Sequence, residues 1–80
     1  MTRESNYVGR AIARLRAERH WTQNKVANKL QRRGVKISRQ IVANIECCRR
    51  VATDKQIYHL AKLFRVPVDS LFRGTRKRLN

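Results

Sequence analysis

The chain is expected to fold as a compact all-α domain of five short helices, and three observations predict this. Apolar residues recur at three- and four-residue spacing, so each segment has one face to bury. No segment alternates apolar and polar residues as a half-buried strand does. Thr22, Ser38 and Thr53, hydroxyl residues suited to helix starts, each precede a periodic stretch. Eighty residues supply one modest core, so one domain is expected, without a separate effector domain.

Residues 1–6 are polar and expected to form a flexible lead into a domain spanning 7–73. Val8, Ala11, Ile12 and Leu15 define a first helix to about Arg19, whose other faces carry Arg10, Arg14, Arg16 and Arg19, most of them expected to form a solvated basic surface. Trp21 follows in a short link as core filler. Thr22 caps a second helix running to Arg32 or Arg33, with Val26, Ala27 and Leu30 inward. Gln23 takes its first position, where the side chain and the positive helix end can both meet a phosphate oxygen.

Gly34 breaks that pattern, and Val35, Lys36 and Ile37 lead to a third helix capped by Ser38 and ending after Glu46. At 100° per residue, Val42 and Ile45 share one side, Gln40, Ala43 and Asn44 the far side, and Arg39 its flank. Cys47-Cys48-Arg49-Arg50 loses the apolar period, and its two arginines suit a backbone phosphate. Thr53 followed three positions on by Gln56 is a capping-box pattern, opening a fourth helix with Ile57, Leu60, Ala61 and Phe64 inward. Pro67 suits the opening of a short fifth helix containing Val68, Leu71 and Phe72, which Gly74 stops. Residues 74–80 are expected to be a mobile basic tail that adds non-specific attraction to phosphates.

Charge narrows the partner. Twenty Lys and Arg against five Asp and Glu give a formal charge of +15, a positive field that favours a polyanion, most often nucleic acid. Anionic membrane is the rival, but no apolar run approaches the ~18 residues of a spanning helix, and the N-terminus lacks a signal segment. A cytosolic, nucleoid-associated protein with no membrane partner is expected. Cys47 and Cys48 are adjacent, a spacing unsuited to a metal pair or a loop-closing disulfide, and are expected to be thiols. His20 and His59 belong to no ligand-spaced cluster, so neither metal nor cofactor is expected. Glu4, Glu18, Glu46, Asp54 and Asp69 form no catalytic pair, and no nucleophile–base arrangement is visible, which argues against an enzyme.

Three blocks carry a family likeness: Trp21-Thr-Gln-Asn-Lys-Val-Ala-Asn-Lys-Leu30, Ile37-Ser-Arg-Gln-Ile-Val-Ala-Asn-Ile-Glu46, and Thr53-Asp with Leu60-Ala-Lys-Leu-Phe-Arg-Val-Pro-Val-Asp-Ser-Leu-Phe72. Together they resemble the Cro/C1-type (XRE family) helix-turn-helix regulators, over about residues 8 to 72. The resemblance implies a lambda-repressor-like five-helix domain that binds short inverted repeats in DNA. It implies that Gln23 contacts a phosphate and braces the reading helix, and that Arg39, Gln40 and Asn44 reach base edges. It also implies that Val42 and Ile45 are core, and that Glu46 pairs with Arg16. Chemistry agrees, since Arg suits guanine O6 and N7 while Gln and Asn suit adenine N6 and N7. Ile41, borderline between core and DNA, and Ala43 could each pack on a thymine methyl.

Two departures from the family pattern stand out. The turn Gln31-Arg-Arg-Gly-Val-Lys36 is longer than the usual one or two residues, which brings Arg32, Arg33 or Lys36 within reach of a backbone. Cys48 stands where many members have Gly, at a helix end that often needs a left-handed residue, at roughly 1 kcal/mol or another ending.

The expected function is sequence-specific binding of double-stranded DNA by a small transcriptional repressor, its own promoter being one candidate target. The base-reading set is Arg39, Gln40, Ile41, Ala43 and Asn44, and the phosphate set is Thr22, Gln23, Lys36, Ser38, Arg49 and Arg50. A homodimer is expected on a two-fold operator with half-sites about one helical turn apart. Val68, Leu71, Phe72 and Leu79 are its candidate contacts. The rival within the family is an antitoxin or mobile-element accessory protein that binds a small protein encoded nearby; the absence of a partner-wrapping extension argues mildly against it. A third reading, non-specific nucleic-acid binding through charge, would show steep salt dependence with little sequence preference.

Overall fold

The structure, a computed structural model, describes residues 3–72. It is all helical, with no strand among the described residues: α1 (Arg3–Glu18), α2 (Gln23–Arg32), α3 (Arg39–Glu46) and α4 (Asp54–Phe64) are followed by a single 3-10 turn, Val68–Leu71. Two expectations change. Helix α1 opens at Arg3, so residues 3–6, expected as a flexible lead, are helical. The fifth helix is one 3-10 turn, held by Ser70 N–H to Pro67 O and Phe72 N–H to Asp69 O, at 2.9 and 3.0 Å. A stretch this short closes too few bonds to offset the ordering of an α-helical nucleus, and Leu71 alone anchors it fully. The expected stop at Gly74, the basic tail 74–80 and Leu79 lie outside the described residues, as do Met1 and Thr2.

The caps explain where the helices begin. The hydroxyls of Thr22, Ser38 and Thr53 accept from the backbone N–H groups of Lys25, Ile41 and Gln56 respectively. At Thr53 the box is complete, because the Gln56 side chain returns to the Thr53 N–H at 2.9 Å. The ends share one device. In each α-helix the chain turns through a left-handed residue, and the next N–H reaches back to a carbonyl of the last turn: Trp21 to Arg16, Val35 to Leu30, Arg49 to Asn44, Val66 to Ala61. The left-handed residues are His20, Gly34, Cys48 and Arg65. Only α2 uses glycine for it, and Cys48 takes the strained conformation at φ 64° with no other ending substituted.

One core ties the helices together. Val8, Ile12, Val26, Leu30, Val42, Ile45, Leu60, Phe64 and Leu71 are each at most 2 % exposed. The long turn after α2 adds Val35 and Ile37 to that core, and the Gln31 amide donates to the Ile37 carbonyl at 2.7 Å. Its length is thus anchored at three points. Helix α3 packs chiefly on α1 and α2, while α4 packs on α1, on α2 and on the 3-10 turn, which itself packs on α1. Gly9 sets the α1–α3 approach: a Cβ there would overlap the Ile45 carbonyl oxygen. Leu71, a candidate dimer contact, is fully buried, and Phe72 packs half-buried on the core. Within the described residues that expected dimer surface reduces to Val68, which is 41 % exposed. No described helix is long and apolar enough to cross a membrane.

Candidate nucleic-acid interface

Helix α3 has two unlike sides. Val42 and Ile45 are locked in the core, each 2 % exposed, while Arg39 and Gln40 stand in solvent and Ala43 and Asn44 are half-buried. Gln40 donates to the Asn44 side-chain oxygen at 3.4 Å, one helical turn apart, which leaves both amides at the surface. Ile41 is the member of the base-reading set turned partly inward, half-buried against the core.

An ion pair fixes how α3 sits. Arg16 on α1 grips Glu46 at two points, Nε to Oε2 at 2.7 Å and Nη2 to Oε1 at 2.9 Å. Its third contact, Nη1 to the Trp21 carbonyl at 2.8 Å, ties the α1–α2 link to the same guanidinium. Gln23, at the first position of α2, donates its amide to Glu46 Oε1 at 3.0 Å. Glu46, whose side chain is only 7 % exposed, therefore holds the C-terminal end of α3 against α1 and the start of α2. Pairing with Glu46 raises the Arg16 pKa above its already high value, mainly through the hydrogen bond and against the effect of burial. Since the folded pKa is the higher one, this contribution is complete at neutral pH and is lost only at extreme alkalinity.

The phosphate set surrounds this helix unevenly. Thr22, Lys36, Ser38, Arg49 and Arg50 are exposed. The Arg49 and Arg50 backbone N–H groups both donate to the Asn44 carbonyl, at 2.9 and 3.2 Å, so these arginines leave directly from the end of α3. Gln23 is half-buried with one N–H committed to Glu46, which gives it the bracing role whether or not a phosphate is present. Neither α2 nor α3 has an acidic residue in its first turn, whereas α4 has Asp54 there. No carboxylate within either first turn offsets these positive ends, while Glu46 comes to the start of α2 through Gln23.

Gly9 was not singled out by sequence reasoning. Its signal was there: a glycine inside an amphipathic helix, flanked by Val8, Ala11 and Ile12, marks a close backbone approach. Both Cys47 and Cys48 are thiols. Comparison of the chain with protein-family models, with curated proteins and with solved structures finds no match.

Proposed function

We propose that the chain binds double-stranded DNA sequence-specifically, with α2, the long turn and α3 acting as a helix-turn-helix and α3 lying in the major groove. The observation that carries this reading is the division of α3: an outward side of Arg39, Gln40, Ala43 and Asn44 on a helix whose other side is immobilised by the core and by Glu46. A rigid helix presenting planar donor–acceptor groups is what base-edge readout requires, because bidentate contacts tolerate little misalignment. Thr22, Lys36, Ser38, Arg49 and Arg50 then meet phosphates on either side and set the register without selecting sequence.

Repression by occupying a promoter, its own among them, follows as the economical mode of action. Discrimination of one site uses two copies on an inverted repeat, so a homodimer on DNA belongs to the proposal. The direct test is selection of bound duplexes from a randomised pool, followed by affinities of Arg39→Ala and Gln40→Ala for the selected site and for random DNA. Each variant should lose about 1–3 kcal/mol on the selected site and relax preference at one base pair. Equal losses on random DNA, or no enriched sequence, would leave a charge-driven binder instead.

A further inference from the structure

On another side of the molecule lies an open groove of about 440 Å³, bounded by the end of α1, α2 and the end of α4. Its rim carries Arg19, Lys29, Arg33, Lys62 and Arg65, and its floor is the half-buried Trp21 and Leu63 over the fully buried Phe64. Among the described residues no acidic one lines it, and α3 itself contributes nothing to it; Arg33 comes from the turn that joins α2 to α3.

Carbonyl oxygens and rings hold three of the rim cations in position. Arg19 donates to the Leu15 and Phe64 carbonyls at 3.0 and 2.7 Å and lies over the Phe64 ring, 5.1 Å from its centroid. Two neutral oxygens thus orient a guanidinium that keeps further N–H donors for a ligand. Arg33 donates to His59 Nδ1 at 3.2 Å, and the Lys29 ammonium sits 4.8 Å from the Trp21 centroid. Gathering like charges around an aromatic floor is unfavourable in the free protein, and a bound anion would relieve it.

We infer that this groove docks an acidic segment of a partner protein, one in which carboxylates alternate with an apolar side chain. Carboxylates meet the rim and the apolar group meets the floor. A second copy of the chain does not suit, since it brings five acidic residues against twenty basic ones. A duplex backbone offers phosphates along a convex ridge and nothing apolar for the floor. A single-stranded base needs an open aromatic face, and Trp21 is already stacked on Phe64, 5.7 Å between centroids and 25° between planes, with the Lys29 ammonium 4.8 Å from its centroid; an aliphatic side chain needs only the half-buried Leu63. The site stands apart from α3, so it fails or survives independently of the DNA-reading proposal.

Trp21 is the only tryptophan, so its emission reports on the groove. The experiment titrates the full chain, at near-physiological salt, with a short peptide alternating glutamate and leucine. It compares wild type, Arg65→Gln with Lys62→Gln, and a control of the same net charge, Arg10→Gln with Lys55→Gln. All four positions are exposed. A saturable change in Trp21 emission is expected, with affinity about tenfold weaker in the groove variant and within about twofold of wild type in the control. Equal weakening in both variants, or no saturable change, overturns the inference. So does a single-stranded oligonucleotide that displaces the peptide and loses affinity through the groove variant alone. The groove variant should also bind duplex no more weakly than the control; a larger loss would assign the groove to the DNA surface.

Discussion

Arg16 and Glu46 show how far single residues could be read. Their pairing followed from the family likeness, but the Trp21 carbonyl on Arg16 and the Gln23 amide on Glu46 are set by how three helices converge, which no local pattern encodes. Removing Glu46 leaves Arg16 without its charge partner, so Glu46→Ala should lower stability by about 3 kcal/mol in a denaturant melt. Its effect on sequence preference in binding should be smaller; a variant that melts normally but changes preference would give Glu46 a reading role. Gly9 marks the opposite case, a residue whose importance depends on a backbone two helices away. Gly9→Ala should destabilise by about 2–3 kcal/mol, since a carbonyl cannot yield as a side-chain tip can. His20→Gly relieves a left-handed residue whose side chain is exposed and should add about 0.5–1 kcal/mol. The same melts check all three.

At the scale of elements, cap chemistry was the most legible feature. Thr22, Ser38 and Thr53 start their helices as their hydroxyls dictate, and α2 and α3 have the bounds that the apolar spacing implied. The N-terminal extension of α1 was not legible, because residues 3–6 carry no apolar period. The fifth helix was misjudged for a related reason. Val68, Leu71 and Phe72 fit a helical face, but periodicity over so few residues cannot separate an α-helix from a 3-10 turn. The long turn before α3 carries its own test. Gly34 sits at φ 86° with open space where a Cβ would stand, so Gly34→Ala should cost about 1 kcal/mol through backbone strain alone. A loss several times larger would mean that the turn depends on more than its left-handed residue.

For the whole molecule, composition conveyed the sign of the field but not its geography. A charge of +15 pointed to a polyanion, yet only the packing separates the surface around α3 from the groove around Trp21. Burial of Leu71 was equally invisible, since an apolar residue near a chain end serves a core or a partner equally well until the neighbours are placed. If Arg49 grips a phosphate, Arg49→Ala should weaken binding to all duplexes alike and reduce the slope of log affinity against log salt by about 1. An unchanged slope would remove it from the phosphate set.

The central claim is that side chains on the outward side of α3 touch base edges in the major groove. It is tested most directly by a cycle pairing Arg39→Ala with 7-deazaguanine in the selected duplex, where the N7 acceptor is missing. Wild-type protein should lose affinity at one guanine when its N7 is removed, while Arg39→Ala should be indifferent to the same change. If the two losses simply add at every guanine, and the corresponding cycles of Gln40→Ala and Asn44→Ala with 7-deazaadenine add as well, α3 does not read the groove.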